Sequence, residues 1–134
     1  MDLLVNIDVP DLATAEAFYT TAFGLRVTRR FGAGGAELSG LPARIYLLEK
    51  PEGSVGAGAD RRRYGRHWTP VHLDIVVEEL EPALAQALAA GATLDSEPRT
   101  HVWGRIAVLS DPFGNGFCLL QFLGRGYDEI APPI

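Results

Sequence analysis

The chain has 134 residues, of which 47% are hydrophobic and 22% are charged, and its formal net charge at pH 7 is −5. This composition predicts one compact domain and excludes a mainly disordered chain. The negative charge argues against nucleic-acid binding, and no apolar run reaches the roughly 18 residues that a membrane-spanning helix needs. We therefore expect neither nucleic acid nor a membrane as a partner.

The first half of the chain predicts a strand, a helix and three further strands. Leu3–Val9 alternates apolar and polar residues, which is typical of a strand. Asp11–Phe23 follows with apolar residues at helical spacing, an N-cap at Asp11 and a closing glycine at Gly24. Three strands are then predicted between glycine-rich turns, at Leu25–Phe31, Ala36–Leu41 and Ala43–Glu49.

A segment rich in glycine and charge separates the two halves. It spans about residues 51–69 and includes Arg61-Arg62-Arg63, with Arg66 close behind. Such a composition is typical of a mobile linker, so we expect these arginines to form a solvated face.

The second half repeats the order of the first. A strand at Val71–Val77 leads into a helix at Leu80–Ala90, which Gly91 ends. Strands are predicted at Thr93–Thr100, Gly104–Ser110 and Gly116–Leu123. The repeat predicts a single domain over residues 1–134, made of module 1 (about 1–50), the linker (about 51–69), module 2 (about 70–125) and a tail (126–134), because each half is too small to bury its sheet alone.

The first strand of each module has one apolar and one polar face. Val5, Ile7 and Val9 share a face, as do Leu73, Ile75 and Val77, and we expect a helix to cover each of these faces. Four polar residues lie on the opposite faces, where parity predicts that they line a cavity: Asn6, Asp8, His72 and Asp74.

Several motifs of this chain resemble those of the vicinal oxygen chelate superfamily, the group of glyoxalase I, extradiol dioxygenases and bleomycin-resistance proteins. The resemblance spans about Leu3 to Phe122 and implies an α+β fold of tandem βαβββ modules, with an open, barrel-like mixed sheet around a cavity and the helices outside. The motifs are Val9-Pro10-Asp11-Leu12, Ala17-Phe18-Tyr19, Phe23-Gly24-Leu25, Val71-His72-Leu73-Asp74, Leu88-Ala89-Ala90-Gly91-Ala92, Trp103-Gly104-Arg105 and Asp111-Pro112-Phe113-Gly114-Asn115.

Metal-dependent members of the superfamily take their ligands from the first and last strands of each module. Alignment of the modules on Leu12 and Leu80 places these positions at Leu4, Tyr46, His72 and Cys118, of which only His72 is a clear match. A register shifted by two residues would instead pair Asn6 with His72 and Asp8 with Asp74. The resemblance therefore implies a degraded metal site. We expect no tightly bound metal or other cofactor, although a divalent metal held in part by His72 stays an alternative.

Six residues are the candidate ligand-binding set, and no catalytic residue is assigned. Asp74 and Asp8 are expected either to pair with Arg44 or Arg105 or to meet water and ligand, because an unpaired buried carboxylate is costly. Aromatic residues such as Trp68 and Phe113 are candidates for a cavity wall, but each is also a candidate for the core. The candidate set is His72, Asp74, Tyr46, Trp103, Asn6 and Cys118.

The resemblance favours a metal-independent protein that binds a small organic molecule in the inter-module cavity, as the bleomycin-resistance branch does, and it implies a homodimer. The alternative is a metal-dependent lyase, isomerase or dioxygenase with His72 as a ligand. A structural or regulatory module without a small ligand is a third class. A single cysteine, Cys118, permits no internal disulfide, and Asp2 stands where a secretory signal carries a basic residue, so we expect a cytoplasmic protein.

Overall fold

The structure, a computed structural model, describes all residues from 1 to 134. The chain forms two compact units, Met1–Gly65 and Arg66–Ile134. Each unit contains one α-helix and one four-stranded sheet with both parallel and antiparallel neighbours, which confirms the predicted α+β class. Neither helix is long and apolar enough to cross a membrane.

The first unit contains the predicted strand, helix and three strands. In the sheet the strands lie in the order β1-β4-β3-β2, so the first and last strands are parallel neighbours and the other pairs are antiparallel. The predicted bounds differ from the observed ones by at most two residues at each end. The elements are β1 (Leu4–Val9), α1 (Leu12–Phe23), β2 (Arg26–Arg30), β3 (Gly35–Ser39) and β4 (Arg44–Glu49).

The predicted linker differs from the structure. It contains a short antiparallel hairpin, β5 (Val55–Ala57) and β6 (Asp60–Arg61). The side chain of Arg62 is not a solvated face, because its Nε donates to Asp8 Oδ2 at 2.6 Å and the side chain is largely buried. Arg62 therefore holds the end of the hairpin to β1 through an ion pair, a contact that sequence composition does not reveal, whereas Arg61 and Arg63 are exposed as expected.

The second unit repeats the topology of the first, with strand order β7-β10-β9-β8 and a parallel pair at β7 and β10. A 3₁₀ turn at Gly126–Glu129 follows the last strand. The elements are β7 (Leu73–Val76), α2 (Leu80–Ala90), β8 (Thr93–His101), β9 (Gly104–Ser110) and β10 (Gly116–Phe122).

Each helix packs on its own sheet and ends as the sequence predicts. The side chain of Asp11 accepts a hydrogen bond from Thr14 N at 2.8 Å, and Gly24 closes α1 at φ 64°. Gly91 closes α2 at φ 117°, in a left-handed region that favours glycine. The predicted alternation of the first strands also holds, since Val9 is buried and Val5 and Ile7 are half-buried while Leu4 and Asn6 are exposed.

One contact occurs twice and joins the start of each helix to the last strand of its module. Leu12 N, the first amide of α1, donates to Glu49 Oε2 at 2.7 Å. Leu80 N, the first amide of α2, donates to Gln121 Oε1 at 2.9 Å. The first amides of a helix have no intrahelical partner, so each side chain satisfies a group that would otherwise be left unpaired. Glu49 therefore has a structural role.

We expect Glu49→Ala and Gln121→Ala each to lower the free energy of unfolding by about 1 kcal/mol, the usual loss when a side-chain cap is removed. Guanidinium unfolding monitored by circular dichroism measures the change. Glu52→Ala, at an exposed position without a capping contact, should change it by less than about 0.5 kcal/mol. Equal effects of Glu49→Ala and Glu52→Ala would show that the contact does not stabilise the helix.

Candidate functional site

The parallel strand pairs decide how the modules correspond. Asn6 lies opposite Tyr46 in the first module, and Asp74 lies opposite Cys118 in the second. Glu49 and Gln121 make the same capping contact and follow Tyr46 and Cys118 by three residues, so Tyr46 corresponds to Cys118 and Asn6 corresponds to Asp74. This agrees with the alignment on Leu12 and Leu80, which matches Leu4 with His72, and not with the register shifted by two residues.

Three potential metal-binding side chains come together in the second unit. His72, Asp74 and Cys118 place one donor atom each within 4.8 Å of one another, and His72 Nε2 lies 3.4 Å from Asp74 Oδ1. The sequence did not identify Asp74 as a third donor beside His72 and Cys118. The available signal was parity, because Asp74 follows His72 by two residues on the same face of the strand.

The environment of Cys118 keeps its thiol protonated. The side chain is buried, and burial is the main cause that raises the pKa of Cys118 to about 12, with the negative charge of Asp74 and a hydrogen bond to Asp74 adding to the effect. A thiol with this pKa is almost wholly protonated near pH 7. Since the thiolate is the nucleophile, Cys118 is a poor nucleophile, and as a metal ligand it would first have to lose this proton to the charge of the metal ion.

An ion pair lies beside this cluster. Arg66 donates through Nε to Asp95 Oδ2 at 3.0 Å, and its guanidinium also donates to the carbonyl of His67. The guanidinium lies against the backbone of Gly116, where an added β-carbon would be 2.8 Å from Arg66 Nη1. Gly116 thus leaves the space that Arg66 occupies. The indole of Trp68, two residues after Arg66, has its centroid 4.9 Å from that of the His72 ring.

In the first unit, Tyr46 belongs to a different network, which surrounds Glu37. The Tyr46 hydroxyl donates to Glu37 Oε2 at 2.8 Å, and Thr28 Oγ1 donates to Glu37 Oε1 at 2.9 Å. Arg44 and Arg29 lie 3.6 and 3.9 Å from the same carboxylate. Glu37 is only 4% exposed, and the hydrogen bonds from Tyr46 and Thr28 are the main causes that lower its pKa.

The contact with Glu37 also changes Tyr46. The hydrogen bond to the carboxylate is the largest cause that raises the pKa of Tyr46, so the hydroxyl is held in its protonated form. A metal-binding phenolate is correspondingly disfavoured. Sequence reasoning missed Glu37, although its position between Ala36 and Leu38 in a predicted strand places it on the polar face.

Three sequence candidates remain: Asn6, Trp103 and Phe113. Asn6 is exposed on β1 opposite Tyr46. Trp103 stacks on His101 with ring centroids 4.9 Å apart, and its other ring contact is with Tyr127. Trp103 precedes Gly104, which pairs with Phe122 near the end of β10, four residues along that strand from Cys118. Phe113 is buried, as its core interpretation predicts.

Neither aspartate pairs with Arg44 or Arg105, which was the first of the two expected outcomes. Asp8 pairs with Arg62, and Asp74 has His72 as its ion-pair partner. Arg44 contacts Glu37 instead, and Arg105 pairs with Glu81. The alternation of side chains identified the face on which these aspartates lie, but it did not determine which cationic side chain pairs with each carboxylate.

We expect titration of Cys118 to lower the stability of the protein at alkaline pH. The folded-state pKa of about 12 exceeds the unfolded value of about 8.5, so the stabilisation is complete below the unfolded pKa and is lost as pH rises above it. The unfolding free energy of the wild type, relative to Cys118→Ala, should fall by about 1–2 kcal/mol between pH 8 and pH 10. Chemical denaturation at several pH values measures this difference, and parallel curves for the two proteins would contradict the assignment.

The fold and the strand registers define the structural class of this protein. It consists of two βαβββ modules, and in each module the first and last strands pair in parallel. A family profile described as a glyoxalase-like domain matches residues 4–120. The chain belongs to this glyoxalase-like family, within the vicinal oxygen chelate superfamily.

Similar proteins are found both by sequence and by structure. An uncharacterized protein of Mycobacterium bovis is 28% identical over 121 residues, which cover 87% of this chain and 80% of that protein. A glyoxalase/bleomycin resistance protein/dioxygenase family enzyme from Burkholderia phytofirmans superposes with a TM-score of 0.71 at 23% identity, covering 92% of this chain and all of that chain (100%). The fosfomycin resistance protein of Listeria monocytogenes gives a TM-score of 0.65 at 18% identity, with coverage of 92% and 87%. At these identities the structural matches show a shared fold.

Proposed function

We propose that this protein binds a small organic molecule through the polar faces of its sheets, without a metal ion. The proposal rests on the side chains at the four positions that correspond to metal ligands in the superfamily, which are Leu4, Tyr46, His72 and Cys118. Leu4 offers no donor atom, Tyr46 gives its proton to Glu37, and Cys118 is held as a thiol. His72 is a competent ligand, but it is already an ion-pair partner of Asp74.

The same faces carry what an organic ligand needs. Binding sites for small molecules combine apolar and aromatic surface with a few fixed polar groups. In the second unit Trp68 offers aromatic surface, and His72 and Asp74 offer a donor and an acceptor that remain partly exposed. In the first unit the Tyr46 hydroxyl is held in one orientation by Glu37 and retains a lone pair for a ligand. The cavity predicted from the sequence stays a prediction.

A metal-dependent enzyme, a lyase, isomerase or dioxygenase, is the second candidate, and the cluster of three donors favours it. Imidazole, carboxylate and thiolate ligands together suit zinc, and His72, Asp74 and Cys118 supply one of each. Such an ion would act as a Lewis acid. A mutant of the Listeria fosfomycin resistance protein has been crystallised with Mn(II). Against this candidate, binding through sulfur would first have to remove a proton that burial and Asp74 hold tightly.

Thermal-shift screening of protein dialysed against EDTA separates the two candidates. We expect compounds from an organic fragment library to stabilise the metal-free protein, because the anchoring groups are its own side chains. Replacement of His72 by alanine should reduce these shifts, whereas His101→Ala, at the other end of the sheet beside Trp103, should leave them unchanged. The metal content of the purified protein should stay near zero in all three proteins.

Two results would contradict metal-free binding. One is about one equivalent of zinc, iron, nickel or manganese in the wild type that His72→Ala removes. The other is a set of compounds that stabilise the protein only after a divalent metal has been restored. Either result would support the metal-dependent enzyme.

We also propose that the protein forms a homodimer. Strands β1 and β7 lie at the edges of their sheets, and the apolar side chains of Leu3, Leu4, Val71 and Val76 on or next to them are exposed. Exposed apolar side chains at a sheet edge favour association. Sedimentation velocity at micromolar concentration should show a dimer, and a monomer of 14.5 kDa would contradict the proposal.

A further inference from the structure

Asp74 differs in its partner from three other strand carboxylates that form ion pairs. Asp8 pairs with Arg62, Glu37 contacts Arg44 and Arg29, and Asp95 pairs with Arg66. Each of these carboxylates therefore lies beside a permanent positive charge. Asp74 instead has a histidine, at 3.4 Å, and this side chain is charged only when it is protonated.

The carboxylate of Asp74 has no arginine or lysine within ion-pair distance. The guanidinium of Arg66, beside the cluster, is paired with Asp95. His72 is the only ion-pair contact of Asp74. The side chain of Asp74 is 35% exposed, so a ligand can reach it.

An aromatic surface lies next to His72, the partner of this carboxylate. Trp68 is 59% exposed and its ring is tilted by 45° against the ring of His72, which itself contacts Asp74. The pair of Arg66 and Asp95 holds the start of the same loop against Gly116. Faces of aromatic rings attract cations, and tryptophan does so most strongly.

We propose that Asp74, Trp68 and His72 form a subsite for an organic monocation, an alkylammonium or quaternary ammonium group of the ligand. The carboxylate neutralises the charge, and the indole and imidazole contact its alkyl substituents. This inference rests on the proposed binding function and names the chemical class that one part of the ligand carries. It accounts for a carboxylate without an arginine partner and for a large exposed aromatic side chain within one cluster.

Choline and 3,3-dimethyl-1-butanol provide the test, because they share one shape and only choline is charged. Ligand-observed saturation-transfer NMR follows the methyl singlet of either compound during titration of EDTA-dialysed protein. We expect choline to bind at least about tenfold more tightly than the neutral alcohol, as a cation–π contact supported by a carboxylate implies.

Three variants locate the subsite. Asp74→Asn should weaken choline binding by about tenfold or more, and Trp68→Leu should weaken it severalfold. Asp128→Asn removes the same charge from an exposed position in the terminal 3₁₀ turn and should leave binding unchanged. Trp68 is exposed, so its variant keeps the test valid even if Asp74→Asn proves unstable because of the lost contact with Cys118.

The proposal is overturned if choline and the alcohol bind equally, if choline does not bind at 100 mM, or if Asp128→Asn weakens binding as much as Asp74→Asn. In these cases fragments that stabilise the metal-free protein would still support the broader binding function. Choline binding that appears only after zinc is added would overturn both proposals and indicate a metal site at His72, Asp74 and Cys118.

Discussion

The parallel pairing of the first and last strands in each module is the constraint on which the candidate site depends. This pairing places Asn6 opposite Tyr46 and Asp74 opposite Cys118, residues that are more than thirty positions apart in the chain. Each helix leaves the first strand and is fixed at its start by a side chain of the last strand, Glu49 or Gln121. Successive side chains of a strand point to opposite faces of the sheet. One register therefore places the apolar residues on the helix side and the polar residues on the other side. The same contacts that stabilise a module thus determine which groups its polar face presents.

Polar side chains on these faces are stabilised chiefly by one another. Glu37 is nearly inaccessible to solvent and accepts hydrogen bonds from two hydroxyl groups, with arginines nearby. Such pairing is required because a buried carboxylate without partners carries a large desolvation cost. The hydrogen bond to Glu37 keeps Tyr46 protonated, and burial, with a smaller contribution from Asp74, keeps Cys118 protonated. Two positions that correspond to metal ligands in the superfamily therefore hold groups whose protonation disfavours metal binding.

The sequence predicted the architecture well because hydrophobic periodicity and turn residues are local signals. The helix bounds, the cap at Asp11, the closing glycines and the strand parity are all found in the structure. The partners of charged groups were predicted poorly. Arg62 reaches Asp8 from fifty-four residues away, and Arg66 reaches Asp95 because Gly116 leaves room for it. Such contacts depend on which loop passes over which strand. A composition rich in glycine and arginine does not predict the path of the loop. The role of Glu37 was missed for a related reason, since its partners lie on two neighbouring strands.

We propose that the donor set of His72, Asp74 and Cys118 serves an organic ligand and not a metal ion. A titration of the EDTA-dialysed protein with Co(II), followed by ultraviolet and visible absorption, tests this claim most directly because thiolate ligation of cobalt gives an intense charge-transfer band. We expect the spectrum to remain that of aqueous cobalt at protein concentrations of about 100 μM and pH 7. A saturable charge-transfer band at one equivalent, absent from the Cys118→Ser and His72→Ala variants, would contradict it.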